Sequence, residues 1–442
     1  MRHKYTLLFV LVAASLPCAA QESIAITGGR ILTVTHGVVE NGTVLIEHGK
    51  IAAVGPKVKV PSGATVIDAK GKVVIPGFLD AGDHLGTLEI PAERITVDDT
   101  EYTDAIHPEL RVLDALNPRS ENIRVSRAQG ITNAVSTPAD GNLIGGQSAV
   151  IQLDGETVDQ ITVKSPASLR INVGEPSKLT YAEKHKPPET RMGQMSLLRQ
   201  TFLKAQHYQA EEDAFTKKQG AKNSSTDSAS GKTEESKSGA PPARDLKMEA
   251  LVAAMNGQMP VVVRADRVSD IEMALRLAQE FHLHIILSQA TSAWRLADQL
   301  AAAKIPVIVG PILEEPGRME SLDVRLDNAA RLFKAGVPIA IQTEGDNEVR
   351  NLPFEVEYAI SYGLPDDAAL AAVTINPARF FGVDDRLGSI EPGKDANLVV
   401  LDGPPFRVKS HVVNVLIRGR NLDLSNHQTE LYDFYKKKYG IQ

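Results

Sequence analysis

The hydrophobic pattern changes twice along the chain. From about residue 23 to 75, short runs alternate apolar and polar residues and are separated by Gly, Asn and Pro. That pattern predicts β-strands joined by turns. It returns after about residue 388, in runs such as "NLVVLDG" and "HVVNVLIRGR". We therefore expect a small β domain built from both ends of the chain.

The middle of the chain has a different rhythm. Nearly continuous apolar runs, such as "PVVVRAD", "HIILSQAT", "PVIVGP" and "PIAIQTEG", alternate with helical stretches such as "SDIEMALRLAQEF". Buried parallel strands have this composition, and strict β/α alternation over such a length favours a closed (β/α)8 barrel of the TIM type. A doubly wound open sheet is the structural alternative, but the Gly-rich phosphate turn expected after its first strand is missing.

One polar segment, at about 210–244, interrupts the alternation. It is rich in Ser, Lys, Glu and Gly and has few large apolar residues. Since such a segment cannot bury enough surface to offset the entropy of ordering, we expect a disordered insertion. The expected organisation is a signal peptide at 1–20, a composite β-sandwich at 21–75 and 388–425, a barrel at 76–387 with that insertion, and a tail or helix at 426–442.

The first twenty residues predict export. A basic start precedes an apolar core and small residues, as in a secretory signal peptide, and we expect a periplasmic or secreted protein. Lipid attachment at Cys18 is the rival interpretation. Cys18 is the only cysteine, so the mature chain would have no disulfide or cysteine nucleophile. The formal charge of −7 argues against nucleic-acid binding, and no later segment is apolar enough to predict a membrane span.

Candidate chemistry appears first in "VVIPGFLDAGDHLG", which spans residues 73–86. Two histidines on alternate residues at a strand end point to the same side and can hold one metal ion. His84 occupies the second of these places, but Gly82 occupies the first and has no side chain to offer. The segment therefore predicts a metal-binding position at the end of a strand, with one of its two expected ligands absent.

Several longer stretches carry a family resemblance. They include "ATVIDAKGKVVIPGFLDA", "GNLIGGQSAVIQLDG" and "TINPARFFGVDDRLGSIEPGKDANLVVLDG". Together they resemble the amidohydrolase superfamily, in particular its imidazolonepropionase-related branch, over nearly the whole mature chain. The resemblance implies a βα barrel with an attached β domain. It also implies metal-dependent hydrolysis of amide, lactam or similar C–N bonds by one or two divalent ions at the rim of the barrel.

The resemblance also assigns the ligand positions, and several of them are altered. Gly82 and Gln289 stand where histidines are expected, and Arg264 stands at the likely strand-five ligand place. His84, Glu175 and Glu344 remain as a minimal set for zinc or manganese, with His84 and Glu344 as catalytic residues and Glu344 as the general base. The sequence leaves open whether the chain is an enzyme. We favour the interpretation that the protein binds no catalytic metal.

Other polar residues are candidates for binding a small-molecule ligand. Arg264, Asp266 and Arg267 are either a carboxylate-binding cluster or a structural ion-pair network. The remaining candidates, each with a structural alternative, are Gln289, His107 in "DAIHPEL" and Gln147 in "GNLIGGQ".

A permanently charged guanidinium at a metal position suggests a replacement. Arg264 would repel a dication, but it would neutralise Glu175 or Glu344 through charge-assisted hydrogen bonds. We therefore expect a catalytically impaired or silent amidohydrolase homologue. The alternatives are an active hydrolase with a minimal metal site, and a ligand-binding protein or non-catalytic subunit that forms a homo-oligomer or partners an active relative.

Overall fold

The computed structural model describes residues 23–224 and 242–441. The predicted signal peptide, with Cys18, lies outside these ranges, as does part of the predicted insertion, residues 225–241. Export and the division into domains therefore stay predictions. Among the helices of the described part, none is both long enough and apolar enough to cross a membrane.

The strands fall into three hydrogen-bonded sheets. Their bounds are β1 (Ile24–Leu32), β2 (Val38–Glu47), β3 (Lys50–Gly55), β4 (Thr65–Asp68), β5 (Val73–Pro76), β6 (Phe78–Asp83), β7 (Ile131–Ser136), β8 (Ile144–Gln147), β9 (Ala149–Gln152), β10 (Thr162–Lys164), β11 (Leu169–Asn172), β12 (Val261–Arg264), β13 (Ile285–Gln289), β14 (Val307–Val309), β15 (Ile339–Ile341), β16 (Leu398–Leu401), β17 (Val412–Ile417) and β18 (Arg420–Asn421).

The helices lie mostly between the strands of the middle region. Their bounds are α1 (Glu121–Ala128), α2 (Val158–Ile161), α3 (Glu175–Ala182), α4 (Arg191–Ser224), α5 (Leu246–Met255), α6 (Val268–Phe281), α7 (Ala297–Ala303), α8 (Asn328–Lys334), α9 (Leu352–Ser361), α10 (Asp366–Ala372), α11 (Ile375–Phe380) and α12 (His427–Tyr439).

An eight-stranded sheet joins the two ends of the chain. Its order is β18-β17-β16-β5-β1-β2-β3, and β4 pairs with β1. The two ends meet where β16 runs antiparallel to β5, with Val399 opposite Ile75. Alternate residues of these strands, among them Ile26, Val44 and Leu398, are buried in one apolar cluster. The alternating pattern of the sequence thus places one face of this sheet on a core.

The other two sheets surround a common apolar interior. One has the order β10-β9-β7-β6, and the other has the order β15-β14-β13-β12-β11-β8. Residues 144–152 lie between β7 and β11 and run antiparallel to both, since β9 pairs with β7 and β8 pairs with β11. At the other junction, the backbone N–H of Glu344 donates to the carbonyl of Gly82 at 3.0 Å, which brings the end of β15 against β6.

The interior of this arrangement is layered. A buried apolar layer combines side chains from β6, β7, β9 and β12 to β15, namely Leu79, Ala81, Val135, Val150, Val262, Ile286, Ile308 and Ala340. Two residues further along each of three strands, Arg264, Ser288 and Gln342 occupy the next layer. Because side chains two apart share a face of a strand, the barrel interior changes from apolar to polar toward the carboxyl ends of its strands.

Helix α4 corrects the prediction of a disordered insertion beginning at about 210. The helix continues to Ser224, so residues 210–224 are helical. Its first half is anchored by buried side chains such as Leu198 and Phe202, whose ring stacks on Phe281 with centroids 5.1 Å apart. The sequence after 210 buries little surface, but its Ala, Glu, Lys and Gln residues propagate a helix that packing has already nucleated.

Candidate functional site

The carboxyl ends of the barrel strands bring together most of the residues that the sequence singled out. Glu344 follows β15, His84 follows β6, and Arg264 ends β12. The Glu344 carboxylate is 8% exposed. Burial on its own would raise the pKa of Glu344, but Arg170, His84 and Arg264 outweigh burial and hold that pKa below its ordinary value. Glu344 is therefore an ionised, buried carboxylate surrounded by cationic groups.

Arg170 is the central cation of this site, and the sequence analysis missed it. It lies on β11, is 1% exposed, and donates from all three nitrogens of its guanidinium. It donates to Glu344 Oε1 at 2.7 Å, Asp140 Oδ1 at 2.9 Å, Asn172 Oδ1 at 2.8 Å and Ser288 Oγ at 3.1 Å. The only sequence signal is a charged residue inside the otherwise apolar strand "SLRINV".

Arg264 is in the predicted site but has different partners from those expected. It pairs with Asp140 and, through Nη2 at 3.2 Å, with Asp266 Oδ2. The predicted hydrogen-bonded pairing of Arg264 with Glu175 or Glu344 is wrong, because Arg170 holds Glu344, and Arg264 acts on Glu344 only through its charge. Asp140, in the loop after β7, bridges the two arginines. Two guanidiniums and the three carboxylates of Asp140, Asp266 and Glu344 therefore form one continuous network.

Gln342 explains the glycine at position 82. A Cβ added to Gly82 would lie 2.5 Å from Gln342 Oε1, so the glutamine fills the space that a side chain at 82 would need. Gln342 Oε1 accepts from Ser288 Oγ at 3.1 Å, while Nε2 donates to Gly310 O at 3.1 Å and Glu344 Oε2 at 2.5 Å. The glycine at the predicted ligand position and the glutamine are thus two parts of one packing arrangement.

The predicted metal ligands His84, Glu175 and Glu344 are not assembled into a site. Within residues 23–224 and 242–441, no group of three or more His, Cys, Asp or Glu is placed to hold a metal ion. His84 Nδ1 lies 2.9 Å from Thr137 O, and Glu175 begins α3 beside Glu320, whose Oε2 accepts its backbone N–H at 2.7 Å. Both carboxylate oxygens of Glu344 are already engaged. These side chains do not fit the zinc or manganese site that the resemblance implied.

Two of the predicted ligand-binding residues line the same region, and a third does not. Asp266 accepts from Thr291 Oγ1 at 2.7 Å in addition to Arg264, which favours the structural alternative for this cluster. Arg267 is exposed at the start of α6 and does not join the network. Gln289 is 7% exposed, and its Oε1 has no hydrogen-bond partner among the described residues. Gln289 thus presents a buried acceptor that a ligand can satisfy.

His107 and Gln147 hold a loop rather than face the network. His107 Nδ1 lies 3.2 Å from Glu109 Oε1, and its backbone N–H donates to Ile144 O at 2.9 Å. Gln147 Nε2 donates to Pro108 O at 2.9 Å. Both residues therefore fasten the loop that follows β6 onto β8, and the structure places neither of them in contact with Arg170, Arg264 or Glu344.

Three of the eleven non-glycine residues with positive φ in the described ranges lie at the same strand ends. Gln289, Ala290 and Glu344 have φ values of 57°, 50° and 53°, in the left-handed region that residues with a Cβ seldom adopt. Such conformations persist where surrounding contacts over-determine them, and they cluster at functional sites. Here they end β13 and β15 at the two positions where the resemblance places metal ligands.

Two buried carboxyl groups, Asp80 and Asp83, lie on β6 beneath the network. Asp80 is fully buried and accepts from Thr343 Oγ1 at 2.6 Å and from the backbone N–H of Gly82 at 3.1 Å. Burial raises the pKa of Asp80 to about 7, although these hydrogen bonds act in the opposite direction. Burial and the nearby Asp80 also raise the pKa of Asp83. The strand that leads into the site therefore carries carboxyl groups that hold protons more tightly in the folded state.

The contact between Gly82 and Gln342 predicts non-additive mutations. We expect Gly82→Ala to lower the free energy of unfolding by about 1–3 kcal/mol, because the new Cβ displaces a hydrogen-bonded side chain. In a Gln342→Ala background the same substitution should cost about 1 kcal/mol less. Urea denaturation of the four proteins measures this difference. Gly63→Ala, whose Cβ would meet nothing within 4 Å, is the matched control. Equal costs in both backgrounds would contradict the packing argument.

Asp80 predicts a pH dependence of stability. Its folded pKa of about 7 exceeds the ordinary value of 3.8, so the folded state binds more protons between these values. The Asp80 contribution to the free energy of unfolding is then present at low pH and is lost as pH rises from about 4 to about 7, by on the order of 2–4 kcal/mol.

Two variants test the assignment to Asp80. Asp80→Asn should remove the part of the pH-dependent loss of stability that Asp80 causes. Asp83 should still cause some loss of stability as pH rises, because its pKa is also raised in the folded state. Thr343→Val removes a hydrogen bond that lowers the pKa of Asp80 and should extend the decline to higher pH. Urea denaturation from pH 4 to 8 measures both effects. An Asp80→Asn protein with the wild-type pH profile would show that another group titrates.

Comparisons with known proteins agree with this architecture. The model of the amidohydrolase family matches residues 250–423. A crystal structure of an amidohydrolase from Thermotoga maritima MSB8 is 32% identical, with a TM-score of 0.80, and the match covers 90% of this chain and 99% of the other. This similarity confirms the predicted α/β fold of the TIM-barrel type.

Two curated relatives extend the comparison. The imidazolonepropionase of Geobacillus kaustophilus is 25% identical over 84% of this chain and 86% of its own length. The amidohydrolase tasK of Hapsidospora irregularis is 30% identical over 86% of this chain, but this chain spans only 39% of that relative. From the Thermotoga maritima likeness and the family match together, we conclude that the chain belongs to the amidohydrolase superfamily of hydrolases.

Proposed function

We propose that this protein is an exported amidohydrolase homologue that has lost metal-dependent hydrolysis and acts by binding a small molecule. The observation that carries the proposal is the network in which Asp140 bridges Arg170 and Arg264 while Arg170 holds Glu344. Two guanidinium charges take the place of a dication among these carboxylates. Export is inferred from the N-terminal sequence, and a periplasmic or secreted location follows from it.

The donor chemistry supports loss of the metal. A catalytic zinc site needs about three protein ligands and an open position for water. Glu344 has both oxygens in hydrogen bonds, and Gly82 and Gln289 supply no imidazole. A dication about 4 Å from a guanidinium would be repelled by several kcal/mol even at a surface-like effective dielectric. The arginines satisfy the buried carboxylates without an ion, and hydrolysis by metal-bound water would lack its nucleophile.

A binding role is supported by Gln289, one of ten described residues with a buried side-chain atom that lacks a hydrogen-bond partner. Gln289 Oε1 is a buried acceptor without a partner among the described residues, at a strand end with strained backbone. A ligand that donates an N–H or O–H group would satisfy it. The chain would then keep the ligand position of its family while losing the reaction. A non-catalytic subunit that pairs with an active relative is compatible with the same site.

Metal content is the first experiment. The mature protein is purified without chelators and dialysed against zinc and then manganese. Inductively coupled plasma mass spectrometry should then find well below one metal ion per chain. A zinc-containing member of the superfamily, carried through the same steps, is the positive control. About one ion per chain that is lost in His84→Ala would overturn the proposal and restore the minimal-metal hydrolase. Loss in His207→Ala, which removes an exposed histidine, would instead indicate adventitious surface binding.

Removing the Arg170 side chain should leave the carboxylates of Asp140 and Glu344 without the positive charge that, on this proposal, replaces a metal ion. We expect Arg170→Met to lower the free energy of unfolding by about 3–5 kcal/mol, because Asp140 and Glu344 lose a buried partner. Manganese at millimolar concentration should then raise the Tm of this variant and leave the wild-type Tm unchanged. Arg111→Met, which breaks only an exposed pair with Asp114, is the control and should cost less than about 1 kcal/mol.

Arg170→Lys completes this set because it keeps the charge without the planar guanidinium. It should be destabilised less than Arg170→Met and should gain no stability from manganese. Equal stabilisation of all variants and wild type by manganese would contradict the view that arginine substitutes for the ion.

A further inference from the structure

Helix α12 projects from the body of the protein. It is capped by Asn426, whose side chain accepts from the backbone N–H groups of Gln428 and Thr429. Contacts with α1 fix its first turn. Glu121 Oε1 accepts the His427 N–H at 2.6 Å, and Arg124 donates to Glu430 Oε1 at 3.3 Å. Beyond this turn the helix has no buried residue, so its later turns face solvent.

These later turns carry an aromatic face. Leu431, Tyr435 and Tyr439 follow one another at intervals of four, and Tyr432 lies beside them on the same side of the helix. Their exposed fractions are 40%, 47%, 65% and 64% in that order. The rings of Tyr435 and Tyr439 stack with centroids 6.1 Å apart. Contiguous exposed apolar stripes of this kind are typical of interaction surfaces.

Lysines border the stripe on both sides. Lys438 Nζ lies 5.4 Å from the ring centroid of Tyr439 and 5.7 Å from that of Tyr435, and Lys436 Nζ lies 5.9 Å from that of Tyr432. At 100° per residue, the acidic Glu430 and Asp433 fall on the opposite side of the helix. Positive charge therefore flanks the aromatic face, and the acidic residues of the helix lie on its opposite side.

We propose that α12 binds the surface of an anionic membrane, with its Leu431–Tyr439 stripe in the headgroup region. Tyrosine places an apolar ring and a polar hydroxyl at this depth, and lysine reaches along the apolar surface to phosphate. Lys436 and Lys438, which flank the stripe, complement anionic headgroups, whereas Lys437 lies on the side of Glu430 and Asp433. The helix lies on the bilayer and does not cross it, which agrees with its polar face. This surface is independent of the proposed function of the barrel.

Vesicle binding tests the proposal. The full mature chain should co-sediment with vesicles of 70% phosphatidylcholine and 30% phosphatidylglycerol at low salt, and much less with pure phosphatidylcholine. Replacing Lys436, Lys437 and Lys438 together by Gln should lower the partition coefficient on the order of 30-fold, because two of the three flank the stripe. Tyr435→Ser with Tyr439→Ser should weaken binding to both vesicles. The variants should keep the wild-type Tm, because the helix buries none of its residues.

The matched control replaces three exposed lysines of the β-sheet region, Lys57, Lys59 and Lys70, by Gln. This control should bind vesicles like the wild type. Failure of the wild type to sediment with anionic vesicles, or equal losses in the two lysine triples, would overturn the proposal. A dimer in light scattering that Tyr435→Ser abolishes, without vesicle binding, would instead assign the face to a second copy of the chain. None of these outcomes changes the expected metal content, so the two proposals are tested independently.

Discussion

The buried guanidinium of Arg170 is the interaction on which the mouth of the barrel depends. It joins β11 to the loop that holds Asp140, to β13 through Ser288, and to the residue after β15, Glu344. A buried cation is tolerated only when its charge and its donors find partners, and here all three guanidinium nitrogens donate hydrogen bonds. Because each partner comes from a different element, the strand ends are held in one arrangement.

Much of the fold was predictable because it rests on local pattern. The apolar runs around Val262, Ile286, Ile308 and Ala340 predicted buried parallel strands, and these residues do line the interior of the barrel. Period-two and period-3.6 patterns are properties of neighbouring residues, so a single sequence displays them. The helix that runs on to Ser224 shows the limit of composition. Composition reports what a segment buries, whereas helix propagation depends on what the preceding turns have already packed.

The pairing within the site was much less predictable. The sequence identified Gly82, Arg264 and Gln289 as altered positions of one site, but it paired Arg264 with Glu175 or Glu344 rather than with Asp140 and Asp266. Arg170 and Glu344 are separated by 174 positions, and nothing in the local pattern of either residue indicates the other. Asp140 and Gln342 were missed for a related reason. Loop aspartates and strand glutamines are common, and their importance here depends on the layer of the barrel that they reach.

The packing of Gln342 against Gly82 also bears on how the site responds to substitution. A histidine at position 82 alone would meet the glutamine, and an ion brought there would meet two arginines. Under the proposed function, building a metal site here therefore takes several substitutions together, because each of them alone is harmful. Such sign epistasis favours substitutions that refine ligand binding over substitutions that create a metal site.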